Sequence, residues 1–471
     1  MRIQNGSNVI LPNFPSRPVS DSAAIVNLNV ASVNGSEQIV LTENDLSRHV
    51  LSIGGIGSGK TNLIDLLTDR ISQSMTDDDV MVIFDTKGDY LRKFARPGDL
   101  VFGNVRKVPH GVKIAEWNIY EEVMIDRELV AENLTEITKS LFAERAKHNT
   151  NPFFPNAARD ILYGYMLSTI RSAQPSELNN QALSRFFAGL DIEQLRDLLN
   201  RQPDLKSCLY YIKGDNTQSQ GVVSEVVQLV HDIFVNRFAL VGSDSIRRAI
   251  RRKSKRRIFI EYDLALGNML SPIYSLLLDM AIKEALSRSE SRRGNVYLII
   301  DEFSLLPNLT HISDGVNFGR EMGLKIIVGI QSVEQLYSAY GEHPGGSILA
   351  GFDTRFFFKV NDYQSRKYVQ ELLGKNKKLY SYDATNRERG VIDEIVDGNV
   401  IEDWVYVNLP TGAAVFFQGG KEPTIVGLPR FIGSGRAPFN SFLDQRGGNP
   451  PSNNTPPDDT PRRGFTVINK R

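Results

Sequence analysis

The chain has 471 residues, 41% hydrophobic and 23% charged, the composition of a soluble globular protein with about two to four domain-sized units. Lysine plus arginine equals aspartate plus glutamate at 55 each, which excludes a global nucleic-acid signature and leaves any basic surface to be local. The single cysteine, Cys208, excludes an internal disulfide, and with no signal-peptide pattern and no run of about 18 apolar residues the chain is expected to be cytoplasmic, or peripheral to the inner face of the cell membrane through a partner.

Residues 1–44 read as a polar arm followed by a small β-unit, with imperfect alternation from Ala23 to Val40. His49-Val-Leu-Ser-Ile53 is a short apolar run that ends in Gly54-Gly-Ile-Gly-Ser-Gly-Lys-Thr61. Leu63, Ile64, Leu67, Ile71 and Met75 then recur at helical spacing. Strand, glycine-rich turn and helix in that order form a phosphate-binding loop. Val80–Phe84 is a second buried strand, closing on Asp85-Thr-Lys87, and Leu100–Phe102 a third, completing a first core part at 45–119. Between 120 and 241 strand signals vanish. Helical stripes run Leu129–Leu141, Ala157–Ile170, Leu183–Leu199 and Val222–Phe234, with a break at Asn151-Pro-Phe-Phe-Pro155. This reads as an all-α domain inserted after Trp117. The core resumes over 242–433 with apolar strands ending near Tyr262, Ile300, Ile330, Val360 and Phe417. Strands alternating with helices predict an α/β core around a mostly parallel sheet. The Pro/Gly-rich tail at 434–471 is expected to be disordered.

Glycines at 54, 57 and 59 let successive backbone N–H groups curl around a phosphate. Gly54, Gly57, Ser58, Gly59, Lys60, Thr61 and Asn62 are therefore expected to bind ATP. Lys60 would reach the β- and γ-phosphates and Thr61 would hold Mg²⁺. Asp301 follows an apolar strand, as a second metal-side carboxylate should, and Glu302 beside it can activate water. Gln331 ends the next strand, where an amide can sense the γ-phosphate or simply cap the strand. Arg355 and Arg320 are candidates for an arginine that completes hydrolysis. Arg247 to Arg257 packs eight cations into eleven residues. It is either a phosphate-backbone contact or a solvated loop, and no aromatic residue interleaves it for base stacking. No HExxH, CxxC or GxSxG pattern is present.

The order of these motifs resembles the FtsK/HerA class of DNA-pumping ATPases. Phe84-Asp-Thr-Lys-Gly-Asp-Tyr90, Trp117-Asn-Ile119, Phe153-Phe-Pro-Asn-Ala-Ala-Arg159, Leu298-Ile-Ile-Asp-Glu-Phe-Ser-Leu-Leu-Pro307, Gly319-Arg-Glu-Met-Gly-Leu324, Gly329-Ile-Gln-Ser-Val-Glu-Gln-Leu-Tyr337 and Thr354-Arg-Phe-Phe-Phe-Lys359 narrow it. Together they are similar to the type IV secretion coupling proteins of conjugation, of the TraD/TraG kind, over about residues 45–430. The resemblance implies a RecA-like core and a homo-hexameric ring that moves DNA, with an all-α domain that recognises a relaxase–DNA substrate and hands it to secretion-channel proteins. Coupling proteins usually begin with transmembrane helices, so this chain is expected to reach the membrane through a partner. Two other readings stay open: a DNA-processing or defence pump working with a nuclease, and an ATP-gated platform that recruits proteins.

Overall fold

Short apolar runs without polar alternation need cover on both faces, and the fold supplies it. The computed structural model describes residues 2–6, 24–32, 35–214, 216–287, 294–306, 309–383 and 391–433. The expected tail at 434–471 and most of the expected N-terminal arm lie outside them.

The strands are β1 (Arg2–Gly6), β2 (Ala24–Ser32), β3 (Gly35–Thr42), β4 (Val50–Ile53), β5 (Val80–Asp85), β6 (Leu100–Phe102), β7 (Lys113–Ile114), β8 (Arg256–Glu261), β9 (Val296–Ile300), β10 (Leu324–Ile330), β11 (Thr354–Phe357), β12 (Lys375–Asp383), β13 (Val391–Asn399), β14 (Ala413–Gln418) and β15 (Thr424–Gly427). One 12-stranded sheet has the order β3-β2-β15-β14-β11-β4-β10-β9-β5-β8-β6-β7. From β11 to β7 every pairing is parallel. From β11 out to β3 every pairing is antiparallel. A separate antiparallel sheet has the order β1-β12-β13.

The alternating side chains of the central strands enter two apolar clusters. Leu51, Ile53, Val80, Val82 and Phe84 join one; Val50, Met81 and Ile83 join the other. Adjacent residues thus bury against opposite layers, as the period of two demands.

Two expectations need correction. The β-unit before the core is the β2–β3 hairpin, and it extends the main sheet through β15 instead of standing ahead of it. Ala413–Phe417 is a strand of this sheet but runs antiparallel to its neighbours. A continuous apolar run reports burial on both faces and carries no sign of strand direction.

The helical region begins with Ile119–Val123 and includes long helices at Val130–His148, Phe153–Ser172 and Thr217–Ile233. Pro155 sits in the first turn of its helix, where a missing N–H costs nothing, so the expected break falls before Phe153. The Leu183–Leu199 stripe is two helices, Asn180–Ala188 and Ile192–Asn200, the first capped by Gly189. The two ends of the region are tied together. Asn118 donates its backbone N–H to Asp244 (3.0 Å) and its side-chain amide to Gly242 (3.0 Å). Its apolar side chains belong to the same cluster as one face of the sheet.

Candidate nucleotide site

The loop after β4 is shaped by two close approaches. A Cβ on Gly54 would stand 2.6 Å from the Phe358 Cβ, and one on Gly59 would meet the Gly412 backbone at 3.0 Å. Gly59 also adopts φ 115° as it caps the helix Lys60–Ser74. Residue 359 holds the loop from the β11 side, its carbonyl accepting from Gly55 N–H at 2.8 Å. Gly412 donates to the Ser58 carbonyl at 2.9 Å, and Leu428 donates to the Gly412 carbonyl at 2.9 Å.

Among the described residues, no backbone acceptor takes the N–H groups of Gly57, Gly59, Lys60 or Thr61. The Ser58 hydroxyl is buried and unpartnered. Lys60 folds back on its own loop, donating to the carbonyls of Gly54 and Gly55. Burial pushes its pKa down, against the attraction of Glu302 and Asp301. This is a cradle of donors without an acceptor, at the positive end of a helix, and it fits a phosphate chain.

Strand β10 lies between β4 and β9, so the carboxyl ends of all three converge. Thr61 donates its hydroxyl to Asp301 Oδ2 at 2.9 Å. Asp301 Oδ1 is buried with no partner meeting hydrogen-bond geometry. Burial raises the Asp301 pKa, opposed by the Thr61 hydrogen bond and the Lys60 charge. A buried carboxylate with a free oxygen beside a threonine hydroxyl fits a hard divalent cation such as Mg²⁺, whose charge would keep the group ionised. Gln331 donates to Glu302 Oε2 at 2.7 Å, and Ser304 donates to Glu302 Oε1. The carboxylate next to Asp301 is therefore held by the strand-end amide.

Asp85 has a structural task. Its carboxylate accepts from the backbone N–H groups of Lys87 (3.3 Å), Asp89 (3.1 Å) and Leu91 (2.8 Å), capping the helix Asp89–Phe94. Lys87 is exposed near Lys60, whose pKa its charge lowers. Asn62 does not turn to the phosphate cradle. Its amide donates to the Pro429 carbonyl (2.9 Å) and accepts from Phe431 N–H (2.8 Å).

The two arginine candidates stand at the other edge. Arg355 pairs in register with Leu51 near the amino end of β4. Both it and Arg320 line a cavity of about 280 Å³ with Arg48, His49 and Asp353. Arg355 is 6% exposed and lies 5.9 Å from the Phe417 ring, whereas Arg320 is exposed and donates to Asn44. Within one chain neither is brought to the phosphate loop.

The basic run is closed from within. Arg247 is 1% exposed and donates to Glu284 (3.1 Å) and Asp126 (2.9 Å). Arg251 donates to the same two carboxylates (2.6 and 2.7 Å), Arg248 pairs with Glu121, and buried Arg257 faces Asp99 (3.5 Å). All four cations are thus paired within the chain, Arg247 and Arg257 while buried and Arg248 with its side chain 39% exposed. Arg252 and Lys255 remain exposed. The carboxylates that neutralise the run lie up to 158 positions away in sequence, which is why local charge counting missed them.

Sequence reasoning also missed Tyr90, whose buried hydroxyl adjoins Asp301. It missed Ser304, and it missed Thr411, Arg430 and Phe431, which line the same cavity as the phosphate loop. The Pro410-Thr-Gly412 turn is the sole local hint of the last group.

A phosphate loop at the end of a parallel strand, an Asp-Glu pair two strands away and an amide between them define a P-loop nucleotide-binding protein of the α/β class. Comparison with known proteins narrows this. The chain belongs to the family described as the type IV secretion-system coupling protein DNA-binding domain, whose model matches residues 36–388. It is 24% identical over 350 residues to coupling protein TraD of Escherichia coli (strain K12), covering 72% of this chain and 46% of that protein. It is 23% identical over 175 residues to conjugal transfer protein TraG of Rhizobium radiobacter, covering 36% and 27%. The chain thus spans less than half the length of these relatives. The fold is that of the bacterial conjugative coupling protein TrwBdeltaN70, with TM-score 0.71, 21% identity and coverage of 88% and 90%. A TrwB structure in complex with ADP and Mg²⁺ has TM-score 0.69, 21% identity and coverage of 85% and 90%. Among the described residues no helix is long and apolar enough to cross a membrane.

Proposed function

We propose that this protein is an ATP-driven DNA motor of the conjugative coupling kind. The observation that carries it is the convergence of a phosphate cradle with Thr61, Asp301, Glu302 and Gln331 on three adjacent strand ends. Membership of a family described as a DNA-binding domain supports DNA as the cargo, and the ADP and Mg²⁺ bound by TrwB support the ligand assignment.

Gly57, Ser58, Gly59 and Lys60 bind the phosphates, and Lys60 exchanges its loop carbonyls for phosphate oxygens. Thr61 and Asp301 would hold Mg²⁺, which supplies neutralisation of phosphate charge. Glu302 takes a proton from the attacking water, and Gln331 couples the position of that carboxylate to the occupant of the cradle. Hydrolysis is completed in a homo-hexamer. The cradle lies at the carboxyl edge of the sheet and the arginine pair at the amino edge, so a head-to-tail ring sets one subunit's arginine beside the next subunit's site. Arg320 is exposed and can reach outward as it stands, while Arg355 must first leave Phe417. The helical region receives a relaxase–DNA substrate, and contact with the membrane and secretion channel runs through partners.

The test is ATP hydrolysis by the purified full chain with and without DNA. DNA stimulation that disappears in Lys60→Ala is expected. An oligomer without DNA stimulation, with Lys60→Ala as active as the parent, would overturn the reading. Mixing Arg320→Ala or Arg355→Ala subunits with Glu302→Gln subunits identifies the arginine, since only a residue acting in trans restores activity in mixed rings.

A further inference from the structure

Beyond the phosphate cradle, the same cavity of about 360 Å³ is closed by the chain after the last strand. We infer that Pro429–Phe431, pinned across the cradle by Asn62, is the nucleobase subsite, and that it takes purine bases by stacking on Arg430. This rests on the nucleotide reading above and adds what the site does with the rest of the ligand.

Three observations carry it. The segment's position is set from both sides. Asn62 uses its amide N–H and its carbonyl on Pro429 and Phe431, respectively. The Phe431 ring rests on Phe94, with centroids 5.5 Å apart. Because Asn62 is on the helix that starts at Lys60, the segment is fixed relative to the phosphates by one rigid element. Next, the amide of Asn62 spends its donor and its acceptor on this segment, and Asp65, which also lines the cavity, is paired with Lys93 through Oδ2 at 2.6 Å, its Oδ1 being buried without a partner among the described residues. Last, Arg430 is exposed, lines the cavity and has no ion-pair partner among the described residues. A guanidinium is planar and stacks on π-faces, and stacking tolerates any base while favouring the larger ring systems.

Calorimetry on the full chain tests this with ADP, GDP, CDP and tripolyphosphate, each with Mg²⁺. The parent should bind ADP and GDP each about tenfold more tightly than CDP, as expected for one stacking contact. Arg430→Ala should weaken ADP by about tenfold and close the gap to CDP, with tripolyphosphate unchanged. Arg430→Lys, which keeps the charge and loses the plane, should recover less than half of that loss in free energy. Equal weakening of ADP and tripolyphosphate, full recovery by lysine, or no change in Arg430→Ala would each overturn the subsite. A parent that binds neither ADP nor tripolyphosphate would overturn the nucleotide reading itself and the subsite with it. Arg430 is on the surface, so its loss leaves the fold intact.

Discussion

Two stretches of this chain look like anion sites: the loop Gly54–Thr61 and the basic run Arg247–Arg257. The fold treats them in opposite ways. At the loop, the N–H groups of Gly57, Gly59, Lys60 and Thr61, the Ser58 hydroxyl and one oxygen of neighbouring Asp301 have no hydrogen-bond partner among the described residues. In the basic run, Arg247, Arg248, Arg251 and Arg257 all meet carboxylates of the same chain. An unsatisfied buried polar group costs free energy unless something arrives to satisfy it. Orphaned groups therefore mark a ligand site better than charge density does. Glu302 is between the two cases, held internally by Gln331 and Ser304 yet aimed at the site.

The largest effect is expected where chemistry depends on this arrangement. Glu302→Gln should lower the kcat of ATP hydrolysis by roughly 10²–10⁴-fold, the span of general-base contributions, with nucleotide affinity nearly unchanged. Steady-state kinetics beside nucleotide titration would show it, and a kcat within twofold of the parent would remove Glu302 from the mechanism.

Arg247→Ala follows. It removes one of the two guanidinium groups on Glu284, whose side chain is 1% exposed, and leaves Arg251 as the other; breaking a buried pair outright costs about 3–5 kcal/mol, which is the upper bound here. Denaturant unfolding should reveal that loss. An unchanged midpoint with weakened DNA binding would reverse the comparison and make the run an interface.

The amino edge of the sheet contributes a pH dependence. His49 is buried and neutral, its Nε2 paired with the Val316 carbonyl and its Nδ1 accepting from Ile326 N–H. Burial pushes its pKa from 6.5 down to about 4. The unfolded chain gains the proton first as pH falls, so this contribution is complete above pH 6.5, declines below it and levels off near pH 4. The loss amounts to roughly 3 kcal/mol. Thermal unfolding of the parent and His49→Gln across that range would isolate it, and identical profiles would assign the dependence elsewhere.

The smallest effect is expected for the exposed remainder of the basic run. Arg252→Ala with Lys255→Ala should leave stability within about 0.5 kcal/mol. It should also leave the salt dependence of DNA binding unchanged. A slope lower by about one for each substitution would mean that these side chains touch phosphates.

Much of the site's inner face could be read directly. Phosphate chemistry demands glycines, a lysine and a hydroxyl at consecutive positions, so the cradle is local in sequence. A carboxylate closing an apolar strand is local too, and the strand at Val296–Ile300 stands where the apolar run placed it. The parallel α/β character followed from alternating strand and helix patterns, although the hairpin β12–β13 was missed.

What local pattern could not decide were matters of distant pairing. Strand direction and sheet order depend on hydrogen bonds between segments far apart, which is why the β2–β3 hairpin joins the main sheet and β14 runs backwards. The fate of the basic run depended on Asp99, Glu121, Asp126 and Glu284, all remote in sequence from their partners. The outer wall of the nucleotide cavity depended on Asn62 meeting Pro429 and Phe431, far away in sequence. Sequence by itself determined which residues are candidates for phosphate and metal, because that chemistry is set by side-chain type at fixed short spacing. Tertiary structure alone decided which polar groups stay unsatisfied, because satisfaction depends on partners that only folding brings near.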